Sequence, residues 1–302
     1  MRVEIAPEKV LARPQEATRK KRILAKHIGQ KAVIYILLIV VTLAVLIPLL
    51  WMLTTSLKTE VEASRFPPTW FPAVPQWHDF SDVFTAVPFL TYFLNTVFYT
   101  AAVTVGQFVC CSLAAFAFAR LRFPGRNVLF IVYLTTMLIP VAVTIVPSFI
   151  EMKAFGWLDT IWAMTIPGML GSAFGTFLLR QYMLAIPKEL DDAAMLDGAG
   201  PLYIYWKIIL PLCKPALTAL GIFTILAVWN DFLWPLVMLQ SDSVTTLTLG
   251  LANFTAGGSE TFVSTPISMA ASTLTLAPLV LIFFLAQRYF IKGIALSGMG
   301  GR

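Results

Sequence analysis

Four carboxylates crowd one stretch of an otherwise oily chain: Glu189, Asp191, Asp192 and Asp197 in "ELDDAAMLDGAG". A pair of carboxyls flanking a bond can serve as acid and base, or as acid and nucleophile, in glycosidic cleavage. That chemistry needs the two groups on opposite sides of a substrate. Here they share one short segment with no His, Cys or Ser–Lys pattern beside them, so no catalytic residue is assigned. A second candidate is Asp231 in "AVWNDFLWP", an acid inside an apolar segment, where charge is expensive and commonly functional. With Asn230 and Trp229 it offers polar groups beside an aromatic face, the usual way of holding a sugar. The alternative is a polar group satisfied between helices, or one near the interface with Trp as an anchor. His27 and His78 are isolated in sequence, and Cys110, Cys111 and Cys213 show no ligand spacing, so no metal site is expected. No GxxxxGK[ST] phosphate loop occurs, so the chain is expected to bind neither ATP nor any other cofactor itself.

The elements that must position these residues are membrane spans. The 302 residues are 58% hydrophobic and 13% charged, against about 25% charged in soluble domains. Six apolar segments approach the roughly 20 residues a spanning helix needs: Val33–Leu53, Thr96–Phe118, Val128–Ile150, Thr160–Leu179, Ala216–Leu239 and Ile267–Ala286. Pro140 and Pro147 are expected to kink the third, and Pro235 interrupts the fifth. "GSAFG", Gly171–Gly175, has the spacing that lets helices pack closely. The first apolar run exceeds a signal-peptide core of 7–15 residues and follows a long basic region of about 31 residues, which predicts an uncleaved span.

Charge sets the orientation. With the N-terminus inside, 19 of the 22 Lys and Arg residues lie on the cytoplasmic side, as the positive-inside rule requires. The reading is all-α: a polytopic bundle of six transmembrane helices with both termini cytoplasmic. It divides into a basic tail over 1–32, a transmembrane domain over 33–290 and a short tail over 291–302. The net charge of +6 follows from topology and from contact with a lipid bilayer, and implies no nucleic acid.

The acidic stretch then falls in the cytoplasmic loop between spans four and five. Pro187 suits a first helical position, the acids complement the helix dipole, and Gly198 suits a left-handed stop. These signals predict one short helix over Pro187–Asp197. Pro201 opens a second, with an apolar stripe of Leu202, Tyr205, Trp206, Ile209 and Leu210. Ala193 and Ala194 leave a flat patch open to a second backbone. A docking pair of cytoplasmic helices explains the stripe and the patch; a solvated loop needs neither.

"DAAMLDGAGPLYIYWKIILP" resembles the EAA loop of ATP-binding-cassette importer permeases. Asp192, Ala193, Ala194, Gly198, Ile208, Leu210 and Pro211 fit its spacing, with Asp192 replacing the usual Glu. "SLKTEVEASRFPPTWFP", "LNTVFYT", "AFARLRFPGR", "WNDFLWPL" and "AQRYFIKGI" are similar to stretches of carbohydrate-type permeases, in particular the second permease of maltose-like systems. The resemblance implies a permease subunit in a prokaryotic inner membrane, importing a carbohydrate. It implies three partners: an ABC ATPase dimer that binds ATP and Mg, a second permease subunit and an extracytoplasmic solute-binding protein. It implies that Glu189, Asp192, Ala193, Ala194, Leu196, Asp197, Gly198, Ala199, Leu210 and Pro211 couple this chain to the ATPase. Trp229, Asn230 and Asp231 remain the candidates for the translocation path. A non-sugar solute such as glycerol 3-phosphate is the nearest alternative, and a secondary transporter a more distant one.

Overall fold

The computed structural model describes residues 14–255 and 263–298, with side chains over 30–253 and 263–285. The chain divides after Thr54 into two compact units. The first contains all of α1 (Pro14–Thr55) except its last residue, and the part Gln30–Thr55 is long and apolar enough to cross a membrane. Its side chains from Lys31 to Val45 are all exposed. A helix apolar on every face is stable in lipid, where no face needs covering from water.

The second unit begins with α2 (Glu60–Ala63) and α3 (Asp79–Ala86). A reciprocal capping box between Thr59 and Glu62 starts α2. His78, expected to be isolated, is not: Nε2 lies 3.4 Å from Asp79 Oδ1 and 3.9 Å from Asp82 Oδ2. These three side chains bring potential ligand atoms within 4.8 Å of one another, a grouping that helical folding makes from positions i, i+1 and i+4.

The spine is α4, Phe89–Arg120. Beyond it come α5 (Arg126–Thr135), a 3-10 turn (Thr136–Leu138), α6 (Val141–Ala154), α7 (Ile161–Met169) and α8 (Ala173–Leu184). Next are α9 (Glu189–Leu196), α10 (Pro201–Ile204), a π turn (Tyr205–Ile209), α11 (Leu210–Leu212) and α12 (Lys214–Trp229). The last elements are α13 (Leu233–Met238), α14 (Leu247–Thr255) and α15 (Thr265–Gly298). The spine packs against α7, α8 and α12, and α15 against α3 and α12. Gly106 is what brings α4 so near the end of α7. A Cβ there would meet Met169 Cβ at 2.5 Å and its Cα at 2.6 Å. Gly175 of "GSAFG" is similarly crowded, with Cys111 Sγ 2.8 Å from the site of a Cβ.

Among the described residues four helices are long and apolar enough to span, and up to six spans result if two bent pairs each count as one. The fold is therefore a polytopic helical membrane protein. The expected third span is bent sharply at Pro140: α5 with its 3-10 turn meets α6 at 98°. Ile139 turns extended ahead of Pro140, the conformation proline imposes on its predecessor. Pro147 lies within α6 without breaking it. The expected fifth span breaks at Asn230–Phe232, ahead of Pro235, and Pro235 sits buried inside α13.

One loop contact ties the far ends of these helices together. Asp159, between α6 and α7, has φ 57°, a conformation Asp tolerates better than most residues. Its Oδ1 accepts from the Gln240 and Ser241 amides at 2.8 and 2.9 Å, and its own amide donates to Met238 O at 2.8 Å. Burial pulls the carboxyl upward, but the bonds from Ser241 and Gln240 outweigh it and hold it below its ordinary value. A depressed carboxyl stabilises the fold above its unfolded pKa, and that contribution is lost as pH falls through the folded value. Asp159→Ala is expected to lose on the order of 1–2 kcal/mol, read as a lower thermal midpoint in detergent. The difference from the parent should shrink as pH falls through the folded value; a difference that stays unchanged across an acid titration would refute the assignment.

Candidate functional site

The acidic stretch folds as α9, two residues shorter at its start than Pro187 suggests, with Lys188 as its N-cap. Its C-terminal stop has the predicted chemistry. Gly198 has φ 83°, and its amide donates to Met195 O at 3.0 Å while the Ala199 amide donates to Ala194 O at 2.9 Å. These are the paired bonds of a Schellman stop. Pro201 then sits at the first turn of α10.

The next turn departs from expectation. A continuous α-helix would bury Leu202, Tyr205, Trp206, Ile209 and Leu210. Instead Ile204, Tyr205 and Ile209 are buried, while Leu202 and Trp206 are exposed. The π turn at Tyr205–Ile209 adds a residue to the turn and rotates the buried face. Tyr205 is held on both sides: Oη is 2.7 Å from Ser112 Oγ of α4, and its ring lies 5.3 Å from that of Phe116. Ile204, Tyr205, Ile209 and Cys213 share one apolar cluster with Phe116, Leu179, Met183 and Leu220. This cluster roots the loop in α4, α8 and α12.

A second root is ionic. The Arg120 guanidinium at the end of α4 lies 3.4 Å from Asp191 Oδ2 of α9, with both side chains buried. Its Nη2 also donates to the carbonyls of Met183 and Ile186, each at 2.9 Å. Those oxygens lie at the end of α8, where helix carbonyls are short of partners; Met183 O also accepts from the Ile186 amide at 3.2 Å. Burial raises the Asp191 carboxyl above its ordinary value; Arg120 opposes this, Asp192 adds to it and Lys188 opposes it. In sequence Arg120 counts only as a topological charge, and Asp191 falls outside the coupling set. The pair joins residues far apart in sequence, and neither motif signals the other.

What remains free is a surface. Leu196 is 90% exposed and Leu202 70%, with Met195, Tyr203 and Trp206 also exposed. Between α9 and α10 lies a cleft of about 560 Å³ lined by Ala194, Asp197, Gly198, Ala199, Tyr203 and Lys207, among others. The structure thus brings Ala194, Asp197, Gly198 and Ala199 together. Glu189, Asp192, Ala193 and Leu196 are exposed on α9 outside the cleft, and Leu210 and Pro211 mark the bend into α12. No arrangement among these residues performs bond chemistry.

The Asp231 group is less unified. Trp229 is buried, its indole donating to Thr275 O at 3.3 Å and its ring edge-on to Phe93. Asn230 is exposed, but its amide nitrogen bonds Leu226 O at 2.8 Å. Asp231 lies in the break between α12 and α13, where Oδ2 accepts from Tyr99 Oη at 3.0 Å and Oδ1 from the Trp234 amide at 3.4 Å. The carboxylate is thus held between helices, and Trp229 is a packing residue.

Comparison with known proteins places these features in a family. The family described as "Binding-protein-dependent transport system inner membrane component" matches residues 110–296, more than half of the chain. The sn-glycerol-3-phosphate transport system permease protein UgpE of Yersinia pestis bv. Antiqua (strain Antiqua) is 33% identical over 268 residues, covering 86% of this chain and 94% of its own. The arabinooligosaccharides transport system permease protein AraQ of Halalkalibacterium halodurans is 35% identical over 257 residues, covering 84% and 91%. A crystal structure of a bacterial ABC transporter that imports the acidic polysaccharide alginate contains a chain similar at TM-score 0.77 and 25% identity, over 90% of this chain and 98% of that one. A second alginate transporter structure, in complex with an alginate pentasaccharide-bound periplasmic protein, is similar in fold at TM-score 0.62 and 16% identity, over 86% and 94%. The chain belongs to the binding-protein-dependent inner membrane components: it is a multi-pass ABC transporter permease of the bacterial inner membrane, a transport subunit and not an enzyme.

Proposed function

We propose that this permease serves an importer of a carbohydrate, and that α9 to α11 is the part an ABC ATPase dimer grips. The observation that carries the coupling role is a contrast within α9: Asp191 is buried against Arg120 while Leu196, five residues on, is almost wholly exposed. A helix rooted on one side and bare on the other can transmit a displacement. ATP and Mg act on the partner ATPase, whose closure would move this loop and switch the path between inward- and outward-facing states. The positive-inside count supports six spans, both termini and this loop in the cytoplasm, and a transmembrane domain over 33–290. The termini themselves lie outside the described residues. A second permease would complete the path, with the exposed Asn230 and half-buried Asp231 as this chain's contributions, and an extracytoplasmic solute-binding protein would deliver the solute.

Two relatives act on oligo- or polysaccharides by their names, which supports a carbohydrate. The glycerol 3-phosphate relative supports a phosphorylated polyol as the second reading. A thermal-shift ligand screen on the partner binding protein separates the two. For the coupling surface the test is Leu196→Glu. A charge at this exposed position leaves the fold intact, and the ATPase should co-purify with the permease at least tenfold less well, about the loss of 1.4 kcal/mol of binding. Undiminished co-purification and uptake would remove Leu196 from the interface.

A further inference from the structure

A second concave surface, separate from the coupling cleft, lies at the turn between α4 and α5. It is a cavity of about 470 Å³ lined by Arg122, Phe123, Arg126, Asn127, Val128 and Lys188, among others. Three cations face it and no acid does. The ion pairs of His78 and Arg120 with their aspartates include none of these three cations. Arg126 spends its donors on neutral acceptors, Leu121 O at 3.0 Å and Asn127 Oδ1 at 3.4 Å. Lys188 is felt by Asp191, but that carboxylate is paired with Arg120. Arg180 of α8 sits over the Phe130 ring at 4.1 Å, close enough to Arg126 for the two charges to repel. A pocket that gathers like charges without a counter-charge is built for an anion.

The surroundings say what carries the anion. Val128 belongs both to the cavity rim and to the outer face of α5, where Val128, Leu129, Ile131 and Val132 are each more than half exposed. In a membrane protein such a face meets acyl chains. A cationic cavity at the foot of a bare apolar helix matches a molecule with a negative head and an apolar tail. We infer that this cavity holds the phosphate headgroup of an anionic phospholipid, whose chains lie along α5. Basic pockets between helices on the cytoplasmic side are suited to such headgroups, and the orientation proposed above puts this one in the inner leaflet. Lys188 is also the N-cap of α9, so a bound headgroup would touch the residue that precedes the coupling helix.

The test uses the purified transporter complex in detergent, titrated with phosphatidylglycerol or with phosphatidylcholine of the same chains, and read by native mass spectrometry. The parent should hold phosphatidylglycerol in preference to phosphatidylcholine. Arg122→Gln with Lys188→Gln should weaken phosphatidylglycerol roughly 30-fold, the loss expected for two cations facing an anionic lipid, and leave phosphatidylcholine unchanged. Arg122 makes no hydrogen bond or ion pair among the described residues, so Arg122→Gln alone should fold and give roughly a 5-fold loss. Lys153→Gln, at the far end of α6, should change nothing. The inference is overturned if the double variant keeps its phosphatidylglycerol, or if millimolar inorganic phosphate strips the lipid as fully as the substitutions do. It is equally overturned if the substitutions release the ATPase while the lipid stays. Loss of lipid with the Leu196→Glu result unchanged, or the reverse, separates this inference from the coupling assignment.

Discussion

Arg120→Ala is expected to destabilise the permease by about 3–5 kcal/mol, the usual result of removing one partner of a buried ion pair. Three groups lose an interaction together, although the Met183 carbonyl keeps the Ile186 amide at 3.2 Å. The Asp191 carboxylate stays buried with its Oδ1 already lacking a hydrogen bond, and the Met183 and Ile186 carbonyls lose the guanidinium that terminates α8. Asp191→Asn should be milder, because a neutral amide carries no burial penalty for charge and Arg120 keeps both carbonyls. The double variant should therefore recover part of what Arg120→Ala loses.

The pH dependence has a definite sign. Burial raises the Asp191 carboxyl, so the folded protein binds this proton more tightly than the unfolded chain does. Its contribution is most favourable below the ordinary carboxyl value and declines as pH rises through the folded one. Arg120 opposes the rise, so Arg120→Ala extends that window upward, and the variant should regain stability in mildly acid buffer while Arg120→Ala/Asp191→Asn does not. Thermal unfolding of the three variants in detergent, at neutral and mildly acid pH, measures both effects. Equal losses for Arg120→Ala and the double variant would show that the stranded carboxylate is not the source.

That pair also marks the limit of what the sequence could tell. Local signals were legible because they act through backbone geometry within a few residues. Gly198 stops α9, Pro201 opens α10, and Pro140 marks a break in the third span. The family spacing from Asp192 to Pro211 was legible for the same reason, since it spans one loop. The Arg120–Asp191 contact was not, because it depends on the end of α4 meeting α9 through the tertiary fold. The π turn was not legible either. No residue type announces it, and one extra residue in the turn was enough to put Leu202 and Trp206 outside and Ile204 inside. Asp231 is intermediate: its cost in a membrane singled it out, but its partner Tyr99 and the packing role of Trp229 come from α4 and α15. The 98° bend between α5 and α6 was legible as a kink in kind and not in size, because composition fixes where a helix breaks and neighbours fix the angle.

Gly198→Pro is expected to abolish uptake while ATP hydrolysis by the assembled complex continues. The native φ of 83° is closed to proline, whose ring holds φ near −65°. The Gly198 amide that donates to Met195 O also disappears, so the Schellman stop fails and the angle between α9 and α10 changes. Nothing lies within 4 Å of the position a Cβ would take, so the damage is conformational and local. Gly198→Ala isolates the backbone term: it keeps the amide, has room for its methyl, and should cost only about 1–2 kcal/mol for the left-handed conformation. The roots of the loop, Arg120 with Asp191 and Tyr205 with Ser112, lie away from this turn and should keep the fold assembled. The pair of measurements is uptake into proteoliposomes and ATPase rate in the same preparation. Retained ATPase with lost uptake in Gly198→Pro, and near-parental uptake in Gly198→Ala, would locate coupling in the angle that this turn sets. Full uptake in Gly198→Pro would mean that the α9–α10 turn transmits nothing, whatever docks on its surface.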